Sequence, residues 1–150
     1  MGTVTYDAIV EGIAAELDEI ATLNVVQRYD ELSEDLSDCP MAQVYVDSGE
    51  TDAFSENDRM TFRGIGRVHE LAIVADIACR ARGNIDDDMK ACVDMAELVQ
   101  NKLEEQKTRP FFGVDGIKAF RWRWERTVFQ RGSEGKNYVG LKLRVTVRIW

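Results

Sequence analysis

The segment "NYVGLKLRVTVRIW", residues 137–150, constrains the fold more than any other part of the chain. Its residues alternate between apolar and polar, and a period of two is that of a β-strand with one buried face. The apolar set is Val139, Leu141, Leu143, Val145, Val147 and Ile149. The polar set is Lys142, Arg144, Thr146 and Arg148. We therefore expect a strand that needs a covering layer on one side.

The preceding segment "AFRWRWERTVF", residues 119–129, alternates in the same way, and "RGSEGKN" between the two segments predicts a turn. One face carries Phe120, Trp122, Trp124 and Val128, and the other carries Arg121, Arg123, Glu125 and Thr127. A platform for single-stranded nucleic acid needs aromatic and cationic side chains on the same surface. Alternation separates them, so we predict a C-terminal β-hairpin with aromatic residues in the core and arginines outside.

Two helices are predicted from apolar residues that recur every three or four positions. The first covers residues 6–21, with Thr5 as N-cap. The second covers residues 84–106, with Asn84 as N-cap and three aspartates, residues 86–88, in a first turn that favours anions. Its predicted apolar stripe is Ile85, Met89, Cys92, Val93, Ala96, Val99 and Leu103.

The middle of the chain predicts two strands separated by an acidic loop. "MAQVYVDSG" indicates a short strand, and "DSGETDAFSEND", residues 47–58, is typical of a mobile polar loop. A long strand follows, with Gly64 and Gly66 at a bend and Leu71, Ile73 and Ala75 on one face. The whole chain, 1–150, is predicted to be a single α+β domain, an antiparallel or mixed sheet with two helices packed on it.

The net charge of −8 conceals an asymmetry along the chain. Residues 1–116 have 10 Lys and Arg against 25 Asp and Glu, whereas residues 117–150 have 9 against 2. A folded domain of this kind has a positive patch and a negative remainder, which suits nucleic acid or head-to-tail contact between copies. No apolar run is long enough for a membrane span, and no signal peptide is evident, so a cytosolic protein is expected.

Residues that would indicate catalysis or metal binding are sparse. His69 is the one histidine, and its place in a strand favours a structural role. Cys39, Cys79 and Cys92 lack CxxC spacing, and the aspartates at 86–88 lack the glycine and distal glutamate of an EF-hand. "GIGRVHEL" has GxG without the third glycine of a dinucleotide site. We expect no enzyme, no metal and no cofactor.

The order of these segments resembles that of the tail terminator proteins of long-tailed bacteriophages. The resemblance covers nearly the whole chain and is carried by "MAQVYVDSGE" after the first helix, "RVHELAIVADIACRARG" before the second, and "NYVGLKLRVTVRIW". It implies a non-enzymatic virion protein, assembled in the host cytoplasm, that forms a hexameric ring. Such a ring caps the tail tube, halts polymerisation of the major tail protein and presents a surface to the head or neck protein.

The resemblance also directs attention to two sets of contact residues. The acidic loop is expected to contact the tail tube through Glu50, Asp52, Phe54, Glu56 and Asp58. The basic hairpin face is expected to contact the tube or a neighbouring subunit through Arg121, Arg123, Arg144 and Arg148. Two alternatives remain open: a nucleic-acid-binding module that uses the same basic face, and a small-molecule enzyme centred on His69. Nucleic acid is the less expected partner, because alternation separates the aromatic side chains of the hairpin from its cations.

Overall fold

A computed structural model of the chain describes residues 5–28, 39–51, 69–131 and 135–149. In chain order its elements are helix α1 (Tyr6–Asp18), strand β1 (Val25–Arg28), strand β2 (Met41–Thr51), strand β3 (His69–Ala81), helix α2 (Ile85–Glu104), a 3₁₀ turn (Phe111–Gly113), strand β4 (Ile117–Arg131) and strand β5 (Lys136–Ile149). The predicted α+β class is confirmed, as is the C-terminal hairpin formed by β4 and β5.

The strands form one mixed sheet in the order β1-β2-β3-β5-β4. β1 runs parallel to β2, and the other three pairs are antiparallel. β5, the strictly alternating segment, therefore has a neighbour on each side, β3 and β4. The long hairpin strand β4 forms one end of the described sheet, with β5 as its neighbour there.

Both helices cover the same face of the sheet. α1 contacts β1 and β2, whereas α2 contacts β3 and β5, and the two helices also contact each other. The inward side chains of β5 complete one core with them, and Leu141 and Leu143 are fully buried. Burial of a leucine side chain of this kind stabilises the fold by about 2 kcal/mol. The alternation of β5 is thus explained by a helix layer on one side.

The helix ends differ from the sequence predictions in detail. Thr5 caps α1 as predicted, since its hydroxyl oxygen accepts the Ala8 N–H at 3.2 Å, but the helix ends at Asp18 rather than at residue 21. Asn84 occupies the N-cap position of α2 without a side-chain bond to the backbone. The first turn of α2 is held instead by buried Asp88, which accepts the Gly83 N–H at 3.0 Å and pairs with Arg80 at 3.3 Å.

The predicted boundary of the acidic loop was wrong. Residues 47–51 belong to β2 and pair with β3, and a bulge between Val46 and Ser48 inserts Asp47 into the strand. Their polar, glycine-containing composition is typical of a loop, but the adjacent long strand supplies a hydrogen-bonding partner that composition does not reveal. Asp52, Phe54, Glu56 and Asp58 lie outside the described residues, as do Gly64 and Gly66.

The predicted apolar stripe of α2 is half correct. Cys92, Ala96, Val99 and Leu103 are buried, with Met95 beside them. Three predicted stripe residues are exposed instead: Ile85 at 74%, Met89 at 42% and Val93 at 52%. The apolar arc of the helix is wider than the surface that the sheet offers to it, so its first turns remain partly uncovered.

The hairpin aromatics are also less uniformly buried than predicted. Trp122 packs against the core, and Phe120 makes edge-to-face contacts with Phe111 and Phe112 at centroid distances of 5.1 and 4.9 Å. Trp124, two residues further along β4, is 38% exposed. The prediction that the hairpin aromatics lie in the core is therefore confirmed for Phe120 and Trp122 and wrong for Trp124.

Candidate interaction surface

The face of the sheet that points away from the helices gathers the cations of the hairpin, and we call it the arginine face. Its members are Arg121, Arg123, Arg144 and Arg148. In the β4–β5 register Trp122 lies opposite Val145 and Trp124 opposite Leu143, both core residues, so the alternate positions point outward. The predicted separation of tryptophans from arginines is confirmed, and the four predicted arginines do share a face.

Most of the arginine face is neutralised within the chain. Arg144 Nη1 lies 2.7 Å from Asp47 Oδ2, and Arg144 Nη2 donates to the Ser48 hydroxyl at 3.1 Å. Both acceptors lie at the β2 bulge, which sends Asp47 across β3 towards β5. Val74 lies between Tyr45 and Arg144 in the register and is 1% exposed, so long side chains cover the sheet where no helix does.

Glu70 neutralises two further cations. Its Oε1 lies 3.4 Å from Arg121 Nη1 and 3.6 Å from Arg148 Nε. The Arg121 side chain nevertheless remains 69% exposed. Glu50, a predicted contact residue, lies opposite Glu70 at the end of β2 and lines a small cavity of about 110 Å³ with Glu70, Arg121 and Arg144.

Arg123 differs from its three neighbours. It is exposed and makes no ion pair with any side chain in the described part of the protein. It lies directly opposite Arg144 on β5, and like charges in such positions destabilise a sheet unless an anion counters them. A cavity of about 220 Å³ is lined by Arg123 together with Arg121, Arg144 and Thr146. Arg123 is therefore the member of the arginine face that has no counter-ion among the described residues.

His69 has a structural environment. Its Nε2 lies 2.6 Å from the Tyr6 hydroxyl, and the two rings stack with centroids 5.7 Å apart. This contact joins the start of α1 to the start of β3. The contact with Tyr6 gives His69 a structural role, and no chemical step is needed to account for this residue.

An acidic cluster formed by Glu16, Glu19 and Glu105 surrounds Lys102. Lys102 Nζ contacts all three carboxylates, at 3.8 Å from Glu16 and 3.1 Å from Glu105, with Glu19 closer still. Hydrogen bonds to Glu19 and Glu105 raise the pKa of Lys102 above its usual value. The three carboxylate groups lie within ligand distance of one another, but the ammonium group already supplies the positive charge. The cluster ties α1 to the end of α2.

The cysteines that were predicted to pack do so. Cys79 and Cys92 are buried and free, and Cys39 is partly exposed. Burial raises the pKa of both Cys79 and Cys92, so these thiols stay protonated at neutral pH.

A second surface was not anticipated from the sequence. A groove of about 290 Å³ runs between α2 and β4, and we call it the α2–β4 groove. Ile85, Met89 and Cys92 line it from the helix, and Arg126 and Val128 line it from the strand. Val128 is 52% exposed, so apolar surface continues from the helix onto the end strand of the sheet. The sequence does show that the apolar arc of α2 is wide. An arc wider than the sheet can cover indicates that part of the helix surface stays exposed, as it does in this groove.

No protein-family model matches the chain, and a search of curated proteins finds none that is similar. Among the described residues, neither helix is long and apolar enough to cross a membrane. A functional proposal for this chain therefore rests on the arginine face and the α2–β4 groove.

Proposed function

We propose that this chain is a structural protein of viral tail assembly, one that ends polymerisation of a tail tube as phage tail terminators do. The proposal is supported by the order of elements and by one observation above all. The arginine face and the helix layer lie on opposite sides of the molecule, and the helix layer exposes carboxylates of Glu11, Asp86, Asp87 and Asp94. A subunit that exposes Arg121 and Arg123 on one side and carboxylates on the other is suited to docking against copies of itself or a repeating partner.

A ring, proposed to be a hexamer, follows from heterologous contacts of this kind when they close on themselves. Within it Arg121 and Arg123 are the cations that we assign to the tube or to the next subunit, because Arg121 is 69% exposed and Arg123 has no ion pair among the described residues. Arg144 and Arg148 are assigned a supporting role, since intramolecular carboxylates already pair with them. The remaining ring surfaces are proposed to meet the major tail tube protein and a head or neck protein.

The experiment is polymerisation of the tail tube protein from the same genome, with and without this chain. We expect tubes of limited length whose ends carry added density in electron micrographs. Arg121→Ala should lengthen the tubes, because it removes one of the two cations assigned to this contact. Lys90→Ala removes a cation from the acidic helix layer and is the matched control. Unchanged tube lengths and bare tube ends with the wild-type chain would refute the proposal.

Nucleic acid is the competing partner for the exposed arginines. In that case affinity would fall steeply with salt, because phosphate contacts release counterions. The ion pairs that hold Arg121, Arg144 and Arg148 and the net charge of −8 both weaken such binding. We expect no retention of DNA or RNA by the chain at low salt in a filter-binding assay.

A further inference from the structure

The outer edge of β4 is a long strand edge to which no described strand is paired. β4 has 15 residues, which corresponds to about 50 Å of backbone. The N–H and C=O groups along such an edge form a template for another strand. The Lys118 carbonyl accepts from Arg109 at 3.1 Å, so the part of the edge that can serve as a template is the centre of β4, residues 120–128. The α2–β4 groove adjoins this part of the edge, so apolar side chains are exposed beside it.

We infer that two copies of this chain pair through antiparallel β4 strands around a two-fold axis at Trp124. Trp124 is the middle residue of the strand, so this register overlaps residues 120–128 of both copies. A two-fold axis perpendicular to the sheet keeps the helices of both copies on one side, and an isologous contact of this kind is the commonest in soluble oligomers. The two five-stranded sheets then form one continuous sheet.

Charge selects this register over its neighbours. With Trp124 at the axis, Arg123 of each copy lies opposite Glu125 of the partner subunit, which places two opposite-charge pairs on the outer face. It also lays Trp122 opposite the partner's Arg126, a favourable cation–π arrangement. A shift of the axis to Arg123 places two arginines opposite each other, and a shift to Glu125 does the same for two glutamates. Both neighbouring registers that preserve the two faces are therefore disfavoured.

The same register explains the exposed apolar residues. On the helix side Trp124 meets its own copy, and Phe120 lies opposite the partner's Val128. Val128 and Trp124, which are 52% and 38% exposed in the single chain, are covered in the pair. Ile85 and Met89 of α2, which line the groove, lie beside the two paired end strands. The occupant of the α2–β4 groove is thus a second copy, which supplies both the strand and the apolar side chains.

A cysteine at the axis tests this register directly. Opposed residues of an antiparallel pair have Cα atoms about 4.5–5.5 Å apart, which a disulfide bridges. Trp124→Cys should give a disulfide-linked dimer on mild oxidation by oxidised glutathione, in which the two thiols lose their protons and two electrons to the reagent. Arg121→Cys, six residues from its copy along the ladder, should not. Cys39→Ser in both backgrounds removes the partly exposed native thiol.

Charge exchange provides the second test. Arg123→Glu should raise the dimer dissociation constant about tenfold or more, because both cross-strand pairs become repulsive. Glu125→Arg should do the same, and the double exchange should restore affinity close to that of the wild type. Sedimentation across a concentration series measures all four proteins, and circular dichroism establishes that each is folded.

A wild-type chain that is monomeric at every concentration would overturn the inference, as would equal cross-linking of the two cysteine variants. The first of these results would also be expected if the edge received a strand from a different protein. The inference goes beyond the proposed function, and the dimer is measured without a tail tube. The two share Arg123, which the dimer pairs with the partner subunit's Glu125, so Arg121 is then the cation left for the tube. A monomer that caps tubes would remove the dimer and leave the proposed function intact.

Discussion

Gly140 shows how a single residue fixes the packing of strands. A Cβ atom at this position would lie 1.9 Å from the backbone oxygen of Ile77 and 3.0 Å from the Cα of Ala78. The close approach occurs beside the β3 bulge, between Ala78 and Arg80, in the centre of the sheet. From the sequence, Gly140 appears as one interruption of an alternating strand, and nothing in the pattern indicates which backbone it approaches.

Gly140→Ala should therefore reduce the free energy of unfolding by about 3 kcal/mol, since the atoms that obstruct the methyl group belong to the backbone of a central strand. Gly49→Ala is the matched control, because its nearest neighbour is a Leu71 side-chain carbon at 3.5 Å. That change should alter stability by no more than about 1 kcal/mol. Urea unfolding of both variants decides the matter, and equal destabilisation would show that the close contact is not rigid.

At the scale of elements, the packing of α1 against α2 depends on Lys102 and the acidic cluster that surrounds it. The Lys102 side chain is 15% exposed and is shared among carboxylates from both helices. Gln106 adds to the joint, because its amide donates to Glu16 Oε1 at 2.7 Å and its oxygen accepts the Phe112 N–H at 2.7 Å. A methionine in place of the lysine retains the aliphatic stem and removes the charge, which leaves three carboxylates close together.

Lys102→Met should lower the free energy of unfolding by about 2 kcal/mol at neutral pH, between the values typical of surface and buried ion pairs. The loss should diminish at high salt, which screens the repulsion among the carboxylates. Lys90→Met is the control: its side chain is 77% exposed and pairs with Asp94 alone, so a change of no more than about 0.5 kcal/mol is expected. A loss for Lys102→Met that is unaffected by salt would assign its role to packing.

Elements differ in how far sequence reveals them. The centres of α1, α2 and β5 follow from periodicity, because each has one strongly buried face. The end of β2 does not, since residues 47–51 have a loop-like composition and become a strand by pairing with β3. The exposed residues Ile85, Met89 and Val93 were misassigned for a related reason. Periodicity identifies an apolar arc on a helix, but the width of the sheet beneath decides how much of that arc is covered.

For the molecule as a whole, the two buried thiols make the free energy of unfolding depend on pH. Because burial raises the pKa of Cys79 and Cys92 in the folded state, the unfolded chain loses their protons first as the pH increases. Their contribution to stability is therefore complete below the ordinary thiol pKa of 9.0 and declines above it.

Stability of the wild-type chain should thus decrease above pH 9.0, and Cys79→Ala should make that decrease less steep at the cost of a small cavity. Chemical denaturation at several alkaline pH values measures both slopes. Cys39→Ser, which leaves the two buried thiols in place, should retain the wild-type slope. Parallel curves for wild type and Cys79→Ala would show that this thiol does not titrate differently in the two states.

At the scale of the molecule, the candidate surfaces also differ in how far the sequence reveals them. The arginine face could be predicted, because alternation alone decides which residues share a side of a strand. The ion pairs that neutralise it could not, since Asp47 reaches Arg144 from a strand 97 residues away in sequence. The α2–β4 groove depends on the strand order, with β4 at an end of the described sheet, and no local pattern encodes that order.

The position of β5 between β3 and β4 also determines when the protein can fold as the ribosome makes it. β2 and β3 can form a hairpin early, but the second edge of β3 waits for residues 136–149. Until then Leu71, Ile73 and Ile77 lack the neighbours that β5 supplies, and the exposed strand edge can bind chaperones or other nascent chains. Completion of the described sheet is consequently tied to β5, and a message truncated within this strand would yield a chain that is degraded.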